Sequence, residues 1–508
     1  MSNKTDKNIG KKAKKGIFWV LIGNFGYEAI LFISSVILAR LLDPNDFGIA
    51  GVAVLITNYL KRLRVFGFGL AIVQKKNITE DHLNAVFLSN FSLGVILWAV
   101  IFFTSGYIGN FFNSPVAGEV AVITSLTFLI NPFSSVQASY LRRNMHFKKL
   151  TYVHIVADLV MNGAQIAMAL MGFGVWSLAY PRLLEPAILA IVLSTQTRYW
   201  PKFKYNKEAM KEIFSFGFWV FIRSQINYLA HNMDFLLVGK FLGTESLGFY
   251  ERAYNVMNRP QKRVTGHTES VLLSAYSRMQ EEKERIRRAF RKVMLSMTIV
   301  NIPIQIGMLS VAPSFVYVLF GAKWMPVVIP LQILNISGLF SSIIATLTPI
   351  VTSHGYVKEN AFRSMASVSI FAILAYFAVD YGINGMSVAV ILYRVADLII
   401  IFVLVRSFTS IRIADLFASV WPSLASAALM LCVVETYQFF IRPFIPSVGP
   451  VMLFSSVAVG AIAYFASLFI FKFQEFVEVR DELIGDLKPH FFRIKNKLTG
   501  RKAFKTNE

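Results

Sequence analysis

The stretch Ala39–Arg64, ARLLDPNDFGIAGVAVLITNYLKRLR, decides how the rest of the chain is read. It opens on a polar corner, Asp43-Pro44-Asn45-Asp46, whose residue types start turns and helices. Gly48 and an apolar run follow, and then Lys61, Arg62 and Arg64. A related stretch, GKFLGTESLGFYERAYNVMNRPQKR, runs from Gly239 to Arg263. With no gap, Arg40 falls on Lys240, Leu42 on Leu242, Gly48 on Gly248 and Arg62 on Lys262. A basic cluster behind a corner and an apolar run, made twice, suggests two matching halves.

Composition says what surrounds these copies. Of 508 residues, 55% are hydrophobic and 16% charged. Mean hydropathy is +0.55, above that of soluble domains. Apolar runs of about twenty residues recur along the chain, which predicts a polytopic α-helical membrane protein. Barrel strands would be short and alternate in polarity. The lone cysteine, Cys432, sits in an apolar run, which leaves no disulfide scaffold or cysteine-based metal site. The start of the chain is polar and lysine-rich, and the apolar segment after it reads as a first span rather than a cleaved signal.

Fourteen spans are predicted, at about 17–39, 47–73, 83–104, 119–140, 151–172, 174–196, 213–238, 246–274, 293–320, 327–353, 363–379, 384–405, 416–437 and 450–471. With a cytoplasmic N-terminus, the outside loops carry only Arg40, Lys240, Lys323 and Arg442. Inside loops are basic, as in Arg142/Arg143/Lys148/Lys149 and Arg278–Lys292. This positive-inside pattern predicts that both termini are cytoplasmic. It also turns the net charge of +22 into a topology signal beside anionic lipid and argues against nucleic acid.

The predicted organisation is a basic N-terminus (1–15), an N-lobe (16–212), a C-lobe (213–406), two further helices (407–471) and a cytoplasmic tail (472–508). Six spans per half is an even number, so the repeats are parallel and suit alternating access. Span six carries Arg182 and Glu185, and span twelve carries Arg394 and Asp397, a second sign of duplication.

Ionisable residues inside a span are expensive and usually face a cavity or a partner. Lys61 lies roughly 18–21 Å from either end of its predicted span, beyond the reach of a snorkelling lysine. Lys61 and Arg64 share a face, and Arg62 points elsewhere. In span eight, Arg259, Lys262 and Arg263 share a face at i, i+3, i+4 spacing, beside Pro260. This face is the strongest candidate for binding an anion, with Lys61, Arg62, Arg64 and Arg223 behind it. Glu28, Asp158 and Asp234 are candidates for a coupling ion, with H+ and Na+ both open. His154–Asp158, Arg182–Glu185 and Arg394–Asp397 offer neutralising pairs within single helices. No phosphate-binding loop of the Gly-x-x-x-x-Gly-Lys-Ser/Thr type occurs, and the histidines are scattered, so neither a built-in ATPase nor a metal cluster is predicted. No outside connection is long enough for the catalytic loop a membrane glycan polymerase would need, and no catalytic residue is assigned.

The corner Ala39-Arg40-Leu41-Leu42-Asp43-Pro44-Asn45-Asp46-Phe47-Gly48 resembles the polysaccharide transporter family of the multidrug/oligosaccharidyl-lipid/polysaccharide flippase superfamily. Leu247–Asn255 looks like that family's second-half signature, and Gly174-Val175-Trp176-Ser177-Leu178 also fits. The likeness extends over nearly the whole chain and is strongest to Wzx-type flippases, including the colanic-acid and teichuronic-acid branches. It implies two six-helix lobes around a central cavity in a bacterial inner membrane. It also implies a cargo of oligosaccharide units on undecaprenyl pyrophosphate, used in exopolysaccharide or surface-glycan synthesis alongside membrane lipids, a polymerase and export proteins. Mid-membrane Arg and Lys suit a pyrophosphate. A peptidoglycan-precursor flippase is the nearest alternative, since its cargo has the same headgroup chemistry. An exporter of cationic amphiphiles would want an acidic cavity, whereas basic residues outnumber acids in these spans.

Overall fold

A computed structural model describes residues 28, 30–64, 72, 78–197, 199–203, 232–265 and 268–471. Among these residues the chain is helical throughout. In lipid each backbone N–H and C=O must find its partner within the segment, and a helix does this. We number the helices α1 (Ile30–Leu41), α2 (Pro44–Arg64), α3 (Glu80–Phe111), α4 (Pro115–Ile130), α5 (Pro132–Arg143), α6 (Phe147–Leu170) and α7 (Trp176–Thr197). Then come α8 (232–242, ending in the π turn Val238–Leu242), α9 (Gly243–Thr265), α10 (Thr268–Ser277), α11 (Lys283–Leu319) and α12 (Val328–Ser353). The last are α13 (Val357–Ala378), α14 (Gly382–Phe408), α15 (Ile413–Ile441) and α16 (Pro450–Ile470).

Each of the fourteen predicted spans has a helix at its place, the seventh represented by residues 232–242. With Lys358–Phe408 (α13 and α14) counted as one stretch, eight helical stretches among the described residues are long and apolar enough to cross a membrane, or nine if α4 and α5 are one span bent by 48°. The bend falls at Asn131-Pro132. Proline cannot donate to the ladder there, and Asn131 Nδ2 donates to the Thr127 carbonyl at 2.8 Å. The eighth span, α9, is not among the eight. Glu245, Glu251, Arg252, Arg259, Lys262 and Arg263 leave no window of it apolar.

The described residues up to Arg252, with Leu319–Val327 and Ala375–Met386, form one compact unit. Its core includes Val86, Phe87 and Val136 between α3 and α5. Leu141, Val153, Ala157 and Leu193 fill the space between α5, α6 and α7. The segment Ala322–Val327 belongs to this unit and buries Trp324 completely.

The second unit holds Ala253–Val318, Val328–Leu374 and the described residues from Ser387 onward. Tyr276, Phe290, Met294, Leu347 and Val405 belong to one of its apolar clusters. The further helices α15 and α16 pack on α11 through Ile302, Ile306, Met430, Val434 and Leu468. The Tyr464 hydroxyl donates to the Ile299 carbonyl at 3.0 Å, and the Ser310 hydroxyl donates to Glu435 at 2.6 Å. Arg363 pairs with buried Asp397, which also accepts from Ser367 at 2.6 Å. At the end near Lys283, Arg287 Nε donates to Asp415 at 2.7 Å.

Candidate functional site

The two repeat copies meet at their corners. Asp43-Pro44-Asn45-Asp46 is a helix start. The Asp46 carboxylate accepts from the Asp43 N–H at 3.2 Å, as in a capping box, and Pro44 takes the first helical position. In the second copy, Gly243 stands in place of Asp43 with φ +85, where an L side chain would be strained, and α9 starts from it.

The close approach falls on the two glycines that the register pairs. A Cβ added to Gly48 would overlap the carbonyl oxygen of Thr244, and one added to Gly248 would overlap that of Pro44. Each Cβ would also sit 3.1 Å from the other glycine's nitrogen. Because Thr244 is the register partner of Pro44, the contact is reciprocal, as across a local two-fold axis. One turn on, Gly51 faces the carboxylate of Glu251. The Thr244 hydroxyl donates to Asn45 Oδ1 at 2.5 Å. A groove of about 640 Å3 lies over this meeting, lined by Asp43, Asn45, Asn113, Thr244, Glu245 and Lys323.

Arg252 closes the corner. It is 8% exposed, and its guanidinium carbon lies 4.3 Å from the ring centre of Phe47, 5.1 Å from Trp324 and 5.2 Å from Phe320. Its Nη1 donates to the hydroxyl of Ser35 on α1. Trp324 Nε1 donates to the Ala39 carbonyl at 2.7 Å, Arg40 Nε donates to the Leu319 carbonyl at 3.0 Å, and Lys323 pairs with Asp43 at 3.2 Å. Residues 319–327 thus strap the end of α1 to the start of α2. Sequence reading left this strap as a plain outside loop. Its signal was a tryptophan beside the outside lysine, Lys323-Trp324.

Deeper in the same unit lies a polar network. His154 Nδ1 on α6 lies 3.7 Å from Glu185 Oε1 on α7. Asp158, one turn along α6, is 4% exposed and interacts electrostatically with both. Lys61 acts on Glu185, and Arg182 acts on both Glu251 and Glu185 while donating Nε to the Leu178 carbonyl at 2.9 Å. The pairs expected within single helices, His154–Asp158 and Arg182–Glu185, still interact, and they are joined into a network across α2, α6, α7 and α9. An α-helix leaves i, i+4 partners side by side, but a neighbouring helix offers a closer carboxylate.

The remaining predicted residues fall as follows. Lys61 and Arg62 are exposed near the far end of α2. Since α2 begins at Pro44, Lys61 lies roughly 26 Å along it, farther from the corner than the sequence suggested. Arg64 ends the described helix, and its side chain lies outside the described residues. Arg259 is half-buried on α9, which runs through Pro260 without interruption to Thr265. Lys262 and Arg263 are on that helix, and their side chains lie outside the described residues, as does Arg223 altogether. Glu28 is half-buried, and Asp234 is buried and accepts from the Tyr250 hydroxyl at 3.0 Å. Among the described residues, no group of His, Cys, Asp and Glu could hold a metal.

The model of the family described as "Polysaccharide biosynthesis protein" matches residues 37–330. The chain is 24% identical over 425 residues to the lipopolysaccharide biosynthesis protein WzxC of Escherichia coli (strain K12), covering 82% of this chain and 85% of that one. It is 22% identical over 462 residues to the succinoglycan biosynthesis transport protein ExoT of Rhizobium meliloti (strain 1021), covering 89% and 92%. Among solved structures, lipid II flippase MurJ in its inward closed conformation superposes with a TM-score of 0.74 at 14% identity, covering 90% of this chain and 98% of that one. The fold is therefore that of this helical flippase, as the two-lobe, fourteen-helix expectation required.

Proposed function

The chain belongs to the polysaccharide biosynthesis protein family, and from that premise we propose that it is a flippase for undecaprenyl-pyrophosphate-linked oligosaccharides. It carries them across the bacterial inner membrane by alternating access, for exopolysaccharide or surface-glycan synthesis, with both termini cytoplasmic. A polymerase and export proteins act downstream of it. The observation that carries this reading is α9. A charged helix runs unbroken through a flippase fold, with Arg252, Arg259 and Lys262 at heptad spacing and Arg263 beside them. Position 259 is roughly 16 Å along the helix from Gly248, and 263 roughly 22 Å. Cations at bilayer depth suit a pyrophosphate, which arginine binds through two parallel hydrogen bonds. Lys61, Arg62, Arg64 and Arg223 are the supporting cations.

The coupling ion binds at Asp158 in this reading. A carboxylate that is buried in a spanning helix beside Glu185 and His154 suits an ion that neutralises it. Asp234 is held by Tyr250, which favours a structural role for it.

A strain lacking the protein should accumulate lipid-linked oligosaccharide on the cytoplasmic face. The wild-type chain should clear it, and Arg259→Ala, Lys262→Ala and Arg263→Ala should not, at unchanged membrane abundance. Normal surface glycan from all three variants would remove the anion site. Accumulation of lipid-linked peptidoglycan precursor instead would favour the second reading, which the likeness to MurJ supports.

A further inference from the structure

We propose that the Gly48–Gly248 crossing is the extracytoplasmic gate of this protein, a two-helix clasp shut by backbone contact and latched by Arg252. The proposal rests on the transport reading only in supposing that the outer end must open.

Four observations carry it. The charge pattern puts the corners at the outer end of their helices, and there the two halves of the repeat touch. The contact is reciprocal, Gly48 with Thr244 and Gly248 with Pro44, so neither copy wraps the other and the two can part symmetrically. At the two glycines the nearest atoms across the crossing are backbone atoms of Thr244, Pro44 and the opposite glycine. Glycine lets two helices approach closely enough for weak Cα–H···O contacts, which are made and broken without rotamer rearrangement. The links at its rim, Thr244 with Asn45 and Lys323 with Asp43, are exposed and exchange readily for water.

Arg252 gives the clasp its latch. Its cage draws Phe47 from the first copy and Phe320 and Trp324 from the strap, while Arg252 itself comes from the second copy. One side chain thus ties the second copy to the first copy and to the strap that packs on it. The tie is reversible because of its charge. On opening, the guanidinium loses three aromatic faces and gains water, so the two states stay within reach of each other. An aliphatic residue in the same cage would gain nothing from water and would hold the corner shut. The register supports this, because the first copy has Val52 where the second has Arg252, and Val52 is fully buried.

The test uses the full-length chain with Cys432→Ser, which removes the native thiol. A reporter, Thr57→Cys, lies on α2 roughly 13 Å past Gly48. A membrane-impermeant maleimide applied from outside should label the reporter slowly. Gly48→Leu or Gly248→Leu, which no closed clasp accommodates, should speed labelling by about tenfold or more, as expected when a minor open state becomes the major one. Gly106→Leu, where an added Cβ meets open space, should leave the rate unchanged. In a second arm, Asn45→Cys with Thr244→Cys is oxidised to a disulfide or bridged by a short bis-methanethiosulfonate, each thiolate forming a disulfide as a sulfinate leaves. Labelling and surface glycan should both be lost, and a reductant should restore them. A bridged protein that still exports glycan, or glycine variants of normal abundance that label no faster, would overturn the gate. The labelling arm needs no cargo, so a mistaken cargo would leave its outcome unchanged.

Discussion

Among the described residues the first repeat copy buries no charged side chain, and the second buries Arg252. At one pair of register positions, Val52 is sealed in a core while Arg252 is held by three aromatic rings and a serine. At the preceding pair, Gly51 makes room for Glu251. Further along, Tyr59 faces the register position of Arg259. The copies are identical at 42/242, 48/248, 53/253 and 58/258, and at 48 and 248 the geometry tolerates no side chain in either. Duplication supplied two equivalent helices. Close packing kept them alike at the crossing, and function let them diverge along the rest of their length.

That contrast can be broken in order of expected effect. The largest follows from the crossing. Gly48→Leu and Gly248→Leu should each abolish glycan export, with export measured by surface glycan at equal membrane abundance. If only one did, the two-fold equivalence would fail. Next come the cations of the second copy. Arg259→Ala should reduce export at least about tenfold, as expected when a charge-assisted hydrogen bond is lost, whereas Tyr59→Phe in the first copy should leave it nearly unchanged. Arg252→Ala should lower thermal stability in detergent by about 2–3 kcal/mol, from three desolvated cation–π contacts of about 1 kcal/mol each. Val52→Ala should lower it by about 1–2 kcal/mol through the lost buried methyl groups. Asp158→Asn should leave folding intact and remove the response of export to an imposed H+ or Na+ gradient, measured in vesicles. The smallest effect belongs to the rim. Lys323→Ala breaks an exposed ion pair and should shift stability by no more than about 0.5 kcal/mol.

Much of the fold was legible because a bilayer imposes length and polarity on each span. The helix start was legible at Asp43-Pro44, where cap and proline chemistry is local. The contact between the copies was half legible. The gapless register named Gly48 and Gly248 as equivalents, but equivalence by sequence does not say that two positions touch. The network around Glu185 was misread because its partner lies on another helix. His154 looked satisfied by Asp158 one turn away, yet it reaches Glu185 on α7. The strap reads as a plain loop in sequence, since Lys323-Trp324 is a weak local signal and its packing on Ala39 and Asp43 crosses 285 and 280 residues of chain.

The sequence by itself determined the class of the molecule, the positions of its spans, the internal duplication and the family resemblance. Hydropathy, charge asymmetry and register are properties of the chain read along its length. Only the tertiary structure decided which charges meet. Whether Arg252 is an anion ligand or a caged latch depends on side chains from α1, α2 and residues 319–327, brought together by helix packing. Partners remote in sequence leave no periodic signal, and the environment they build is what sets the role of a buried charge.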